Sequence, residues 1–460
     1  MRFVMKTLLP TALLVSLVLA SSALAQQQPI LADYDQELRT PDGHFDTPRT
    51  LAALKAMGCN TYFYLIHHSK YDWDDLPAFA DAAAKQNMNV WVHINPWSET
   101  TIYKKNWNYS EPFKTDYVRW ASEIAKLSLA HKNIVGFVID DFYTNVKLPD
   151  REGFTPKYTE QIHNAYKSIN PKLKFYPLIY FEQPWSDFVD KYGKYCDGVV
   201  GAYPRSEDEI INANTYLRDE YHGPSMSAKL ARGVATDEDE GVMMIGDFYV
   251  EDRDEASISF YWDSFIREQL AERGFHYAVC YVNGKLIWSA DASKEPTEQF
   301  IKLDLSKYVP KDKKMHIELG LIEKSAVHTF AIQVNFDNVR IRGVSPLKGK
   351  GDVDQAWRAR RSKSFTASMY KASTGKGRFN LPMILMPSAN GAEHELRFNE
   401  PGTPENIQKK LHMVLEATKS GLALGSVMFI TPKDENDPYF RAVQAEYRAS
   451  GKESPARKKY

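Results

Sequence analysis

Two kinds of stretch alternate along most of the chain. Short apolar runs with no polar interruption are separated by longer runs in which apolar residues recur every three or four positions. Strand-like runs fall at 29–34, 61–66, 89–96, 133–142, 174–181 and 197–203. Between them, helical periodicity marks 47–57, 74–86 and 116–130, a helix opening at Thr155-Pro156, a short one at 185–192 and another at 206–221. Thr followed by Pro is a helix-start signal, and Gly58 is placed to close the first helix. Runs too apolar to face water on either side, separated by helices of this length, predict βα units and a parallel sheet.

The period changes after 221. From 224 to 346 the pattern is strand-like with turn signals, and Asn283-Gly284 between two apolar runs predicts a type I′ hairpin. This segment is expected to be an antiparallel β-sandwich inserted in the parallel domain. Residues 347–378 are basic and glycine-containing, with a short helix near 355–361, and are expected to form an exposed linker back to the parallel domain. Alternation then resumes: strand 381–387, helix 403–419, strand 425–431 and helix 438–448. The βα units then number eight, as a TIM barrel needs. The expected fold is therefore a (β/α)8 TIM barrel, strands 1–6 in 26–223 and strands 7–8 in 379–450, with a basic tail at 451–460.

Residues 1–25 read as a signal peptide. Arg2 and Lys6 precede an apolar run from Leu8 to Leu19, and Ala23-Leu24-Ala25 supplies an A-x-A cleavage site. No other run approaches the length of a membrane span, so the mature chain is expected to be secreted or periplasmic and free of the membrane. The three cysteines, Cys59, Cys196 and Cys280, are too few and too widely spaced for a disulfide framework or a cysteine zinc cluster. A net charge of -1 gives no footprint for nucleic acid. The 26 Tyr and 9 Trp suit stacking on sugar rings, although large barrels also bury many aromatics.

In a parallel barrel the carboxyl ends of the strands converge on one pocket. Those ends carry Asp33, His67 and His68, Asn95 and Trp97, Asp140 and Asp141, Tyr180 and Glu182, Tyr203, Ser388 and Asn390, and Thr431 with Lys433. Carboxylates, amides, imidazoles and aromatics in one cleft fit a polyhydroxylated, carbohydrate substrate. There is no glycine-rich phosphate loop, so no nucleotide cofactor is expected. His67, His68 and Asp33 have the chemistry to hold a divalent metal. Such groups more often bond sugar hydroxyls or each other, and no metal is assigned.

Asp140 and Asp141 end the most apolar strand. Successive strand residues point to opposite faces, so both face the pocket only if Asp140 closes the strand and Asp141 begins the loop. Desolvation there is expected to raise a carboxyl pKa and suit it to general acid work. In the alternative pairing, one of these aspartates works with Glu182, the two carboxylates flanking a glycosidic bond.

The run Phe137-Val138-Ile139-Asp140-Asp141-Phe142 resembles the paired-aspartate strand of family-84 glycoside hydrolases, the O-GlcNAcase type, and Phe175-Tyr176-Pro177-Leu178-Ile179-Tyr180 is similar to that family's next strand. The resemblance covers two strands and lacks that family's additional N-terminal domain. It implies that Asp140 orients the substrate's acetamido group during attack on the anomeric carbon and that Asp141 is the general acid/base. A second, shorter resemblance joins Phe336-Asp337-Asn338-Val339-Arg340-Ile341 to the closing strand of jelly-roll carbohydrate-binding modules. The expected function is glycoside hydrolysis of a polysaccharide or glycan, with Asp140, Asp141 and Glu182 catalytic and Asp33, His67, His68, Asn95, Trp97, Tyr180, Tyr203 and Asn390 binding substrate. The alternative is a glycan-binding protein on the same scaffold without turnover.

Overall fold

The computed structural model describes residues 28–100, 110–218, 223–266, 274–294, 298–324, 331–347, 352–372 and 379–452; the segment read as a signal peptide and residues 453–460 of the tail lie outside them. The first part of the chain runs β1 (Ile30–Tyr34), α1 (Thr47–Met57), β2 (Thr61–Ile66), α2 (Asp72–Ala84), β3 (Asn89–Ile94), α3 (Tyr117–Ala130), β4 (Ile134–Ile139), α4 (Pro156–Lys167), β5 (Lys174–Phe175), β6 (Leu178–Tyr180), α5 (Trp185–Tyr192), β7 (Val199–Ala202) and α6 (Glu207–Arg218). Helix starts follow the sequence signals with small offsets. Thr155 caps α4 by accepting from the Tyr158 N–H, whereas α1 is capped one residue earlier than its Thr-Pro signal, by Asp46. Gly58 closes α1 in the left-handed region at φ 100°, which glycine adopts without strain.

The inserted segment is antiparallel throughout. Its strands are β8 (Ser225–Leu230), β9 (Gly241–Val250), β10 (Ser257–Ile266), β11 (His276–Val282), β12 (Lys285–Asp291), β13 (Gln299–Asp304), β14 (Lys314–Glu323), β15 (Ile332–Arg342), β16 (Val344–Pro346), β17 (Arg358–Arg360) and β18 (Phe365–Tyr370). One sheet is ordered β13-β10-β15-β8-β18 and the other β12-β11-β14-β9-β16, with β17 on β9. Asn283 and Gly284, at φ 50° and 76°, make the hairpin turn that their sequence predicts. Phe260, Trp262, Leu319 and Phe336 are buried between the sheets.

The stretch 347–378, expected to be a linker, instead supplies two strands. β18 pairs with β8 from Phe365↔Leu230 to Tyr370↔Ser225, and β17 pairs with β9. Trp357 and Phe365 are buried in the sandwich core, while the basic residues between them, Arg358, Arg360, Arg361 and Lys363, are exposed and conceal the two anchors in an overall basic composition. The helix expected near 355–361 is a single turn over Val353–Ala356.

The chain then adds β19 (Met383–Met386), α7 (Gly391–Phe398), α8 (Pro404–Lys419), β20 (Gly425–Phe429) and α9 (Pro438–Lys452). All nine strands β1–β7, β19 and β20 belong to one curled parallel sheet, ordered β5-β4-β3-β2-β1-β20-β19-β7-β6. Nine segments stand where eight strands were expected because the run 174–181 is interrupted. Pro177 has no N–H to give to a ladder. The part before it pairs with β4 and the part after it with β7, so the two edge strands of the sheet are separated in the chain by Tyr176 and Pro177 alone.

Strict alternation sorts the strand side chains. Phe63, Leu65, Trp91, Val138, Leu178 and Val427 pack together on the inner face of the curl, while Tyr62, Tyr64, Val92, Phe137 and Ile179 pack outward against the helices. Fully burying one such side chain contributes about 1.5–3 kcal/mol. Gly136 has no side chain because the Trp91 ring fills its place: a Cβ there would lie 2.3 Å from Trp91 Cζ3. Among the described residues no helix is long and apolar enough to cross a membrane.

Candidate active site

β4 ends at Ile139, and the Asp140 N–H still reaches the Ile94 carbonyl at 3.0 Å, so Asp140 takes the last place of the ladder. Asp141 is left-handed, at φ 45°. That turn breaks the alternation that would send the second side chain to the opposite face. Asp140 Oδ2 accepts from the Tyr34 hydroxyl at 2.9 Å, and Asp141 Oδ1 accepts from the Tyr180 hydroxyl. Tyr34 and Tyr180 belong to one chain of ring contacts through Phe429 and Tyr203, so the two carboxyls are held by the same aromatic cluster. The Asp141 carbonyl is fixed by Asn145, whose backbone N–H and Nδ2 donate to it at 3.1 and 3.0 Å.

The environment of Asp140 differs from the desolvated acid expected. Burial alone pushes its carboxyl up. The charge of His93, whose Nε2 lies 3.5 Å from Oδ2, and hydrogen bonds from Tyr34 and the Asp141 N–H outweigh that, holding Asp140 below the ordinary carboxylate range. His93 is wholly buried and stacked on Tyr34 with ring centroids 4.0 Å apart. Burial, then the Asp140 charge, pushes the Tyr34 hydroxyl well above its usual pKa, and burial and Asp141 do the same at Tyr180. Both tyrosines remain proton donors.

Aromatic rings form the wall. Tyr34 stacks with Phe429 at 5.6 Å, Phe429 meets Tyr203 edge-on at 6.0 Å, and Tyr203 stacks on Tyr180 at 5.7 Å. Tyr203 holds its place through a left-handed backbone at φ 59°. The Arg397 guanidinium, from α7, lies over Tyr180 at 4.9 Å and over Tyr203 at 4.7 Å, within cation–π range.

Of the residues expected from the sequence, Asp140, Asp141, Tyr180 and Tyr203 are brought together. His67 and Asn95 bond each other at the ends of β2 and β3, and the Asn95 carbonyl accepts from Tyr117. His68 is drawn aside to Glu37 at 3.0 Å and Asp35 at 3.5 Å. Glu182 stands at the rim, its side chain 36% exposed and 3.5 Å from Arg397.

Three expectations are corrected by alternation and packing. Asp33 does not face the cleft, because Ala32 and Tyr34 occupy that face of β1. It points toward the helix layer, wholly buried, and pairs with Lys433 Nζ at 2.5 Å. Burial raises its carboxyl to about 6 against the opposing pull of Lys433. Trp97 is packed among Tyr117, Phe154 and Tyr158 in the outer layer. Asn390 caps α7, its side chain accepting from the Glu393 N–H at 3.0 Å.

The metal set considered from the sequence is likewise not assembled, since Asp33 lies behind the sheet and His67 bonds Asn95. The donor atoms of Asp35, Glu37 and His68 lie within 4.8 Å of one another, an arrangement that could hold a divalent cation, and Arg39 Nε already reaches Glu37 at 3.0 Å. Cys59, Cys196 and Cys280 are free thiols.

Sequence reasoning passed over Tyr34, His93 and Arg397. The first two carry a readable signal: each shares its strand's inner face with a core residue two places earlier, Ala32 and Trp91. Arg397 has none, since no pattern in the sequence marked α7.

No family model matches the chain, and no curated protein matches it. Solved structures with partial likeness include a GH18 chitinase from Pseudoalteromonas aurantia, with 10% identity over 40% of this chain and 74% of that one and a TM-score of 0.28. Bacteroides uniformis beta-glucuronidase 2 has 8% identity over 66% of this chain and 65% of that one, with a TM-score of 0.27. Tryptophan synthase from M. tuberculosis reaches a similar level, with 14% identity over 42% of this chain and 70% of that one and a TM-score of 0.26. Likenesses of this size decide neither fold nor activity.

Proposed function

We propose that this protein is a glycoside hydrolase, exported to the periplasm or beyond, that cleaves a polysaccharide or glycan at the ends of the parallel strands. The reading takes the curled sheet as a (β/α)8 barrel, with β5 and β6 as the two halves of one strand interrupted at Pro177. The observation that carries it is the pair Asp140 and Asp141 at the end of β4, with Asp141 left-handed and each carboxylate held by a tyrosine of one aromatic cluster, Tyr34 and Tyr180.

The electrostatics suggest a division of labour. Asp140, held ionised, opposes positive charge developing at the anomeric carbon or orients a neighbouring acetamido group. Asp141, at the tip of the turn, gives a proton to the leaving oxygen and takes one back from water. Tyr180 positions Asp141, and the rings of Tyr34, Phe429 and Tyr203 offer a flat apolar wall to a sugar. Glu182, on the rim and paired with Arg397, is less suited to be the second catalytic carboxylate. One feature favours the alternative, a glycan-binding protein without turnover: both aspartates are already hydrogen-bonded to tyrosines. Incubation with a panel of aryl glycosides, N-acetylhexosaminides among them, and of polysaccharides separates the two. Turnover lowered by Asp141→Asn, most on substrates whose leaving group needs a proton, supports hydrolysis, and binding without turnover supports the alternative.

A further inference from the structure

Asp141 is held at two points. Its carboxylate accepts from the Tyr180 hydroxyl, and its backbone carbonyl accepts from both the N–H and the side-chain Nδ2 of Asn145, at 3.1 and 3.0 Å. A non-glycine residue at φ 45° keeps that conformation only where its surroundings over-determine it. Both acceptor positions of the Asp141 carbonyl are filled from one neighbour, so Asn145 sets the turn from which the Asp141 side chain projects.

Asn145 is itself anchored on two further sides. It is wholly buried, in the single turn Thr144–Val146 that follows β4. Its Nδ2 also donates to Ser98 Oγ at 2.9 Å and its Oδ1 accepts from the Ser98 N–H at 2.8 Å, a reciprocal pair that ties it to the single turn Trp97–Glu99 after β3. Its backbone carbonyl accepts from the Phe154 N–H at 3.0 Å. Gly153 lies against the same carbonyl. A Cβ there would stand 1.9 Å from the oxygen, so any side chain at 153 would push Asn145 aside.

Buried amides commonly do no more than satisfy buried backbone groups. Here the Asp141 carbonyl already has a donor in the Asn145 N–H, so the Nδ2 bond is not needed for satisfaction. What it adds is direction, at the left-handed residue after β4. The Tyr180 hydroxyl fixes one oxygen of the Asp141 carboxylate but not the backbone behind it. With both ends held, the carboxyl has one position.

We infer that Asn145 is a positioning residue for the general acid: it fixes the Asp141 backbone so that the carboxyl meets the glycosidic oxygen, and Gly153 is the residue whose lack of a side chain admits it. On the hydrolase reading, on which this rests, Asp141 gives and takes the proton. Displacing a reacting group by about 1 Å costs about 100-fold in rate.

The test measures kcat and KM on aryl glycosides of one sugar with leaving groups of graded acidity, for the parent, Asn145→Ala, Gly153→Ala, Ser98→Ala and Asp141→Asn. Asn145→Ala and Gly153→Ala disturb the same bracket from opposite sides, and each is expected to lower kcat about 10- to 100-fold where the leaving group needs a proton. Where it needs none, both are expected to stay within about threefold of the parent, with KM changed by no more than about threefold. Ser98→Ala removes one anchor of the amide at a half-buried position and is the variant that keeps the fold if the other two do not. It is expected to lose about threefold in kcat, with the same dependence on the leaving group. Circular dichroism melting verifies each protein as folded. Equal losses on all leaving groups, a loss confined to KM, or parent rates throughout would overturn the inference. If Asp141→Asn shows the leaving-group-dependent loss and none of the three bracket variants does, the hydrolase reading stands and this one falls. If Asp141→Asn shows no such loss, or the parent cleaves no glycoside, the hydrolase reading fails and takes this one with it.

Discussion

The Tyr34 hydroxyl donates to Asp140 Oδ2 at 2.9 Å across 106 residues of sequence, joining the first strand of the chain to the fourth inside the curled sheet. His93 completes the arrangement by stacking on Tyr34 and meeting the same carboxylate oxygen. A carboxylate so held is stabilised as the anion.

The pH dependence follows from that. Asp140 has a folded pKa below its ordinary value, so its contribution to stability is present above the ordinary carboxylate range and is lost as pH falls through the lowered folded value. Removing a group that lowers it, by Tyr34→Phe or His93→Asn, moves the ionisation of Asp140 upward. The acid limb of kcat/KM, and of urea-denaturation stability against pH, then shifts to higher pH in both variants.

Tyr180→Phe removes the donor that positions Asp141 and leaves the ring stack with Tyr203 in place. A hydrogen bond to a charged group is worth about 1.5–3 kcal/mol. Turnover is expected to fall about 10- to 100-fold, chiefly in kcat. Circular dichroism melting checks that the fold survives.

Asp33 separates the pattern of the sequence from the packing of the fold. Read as a strand-end carboxylate it belongs in the substrate cleft; in the structure it is buried behind β1 against Lys433, itself 1% exposed. Asp33→Asn leaves that ammonium buried without its counter-charge and is expected to cost about 3–5 kcal/mol. Denaturant titration measures the loss, and kcat/KM of the remaining folded protein is expected to match the parent, which a substrate-binding role would forbid.

Glu182→Gln tests the alternative catalytic pair. The carboxylate is at the surface with Arg397 3.5 Å away, and a pair of that kind is worth about 0–1 kcal/mol. Turnover within about threefold of the parent is expected on any active glycoside, whereas a second catalytic carboxylate would cost far more.

What the sequence made legible tracks how local the determinant is. β4 and the turn into Asp141 could be read because apolar runs and side-chain alternation act within a few residues. The hairpin at Asn283-Gly284 was legible for the same reason. Asp33 was misplaced by one step of that alternation, a distinction that burial on both faces of β1 removes from the pattern. Trp97 and Asn390 sit just past the strand ends, where loop packing and helix capping claim the side chain. The strands in 347–378 were hidden because β17 is Arg-Ala-Arg and the short polar-apolar alternation of β18 after Phe365 is set among basic residues that dominate the composition. The contacts of Asn212 with Glu298 and Asp337 were not legible at all, since they form only where the sandwich meets α6.

The most direct test of the central claim is the initial rate of the parent, Asp140→Asn and Asp141→Asn proteins on whichever glycoside of the panel the parent cleaves, each variant first verified as folded. General acid/base catalysis supplies about 10²–10⁴-fold in rate. A loss of that order is predicted for Asp141→Asn, smallest on aryl glycosides whose leaving groups need no proton, and a loss of about 10²–10³-fold for Asp140→Asn, which removes an electrostatic stabiliser. Folded variants that cleave every substrate at the parent's rate would contradict the account.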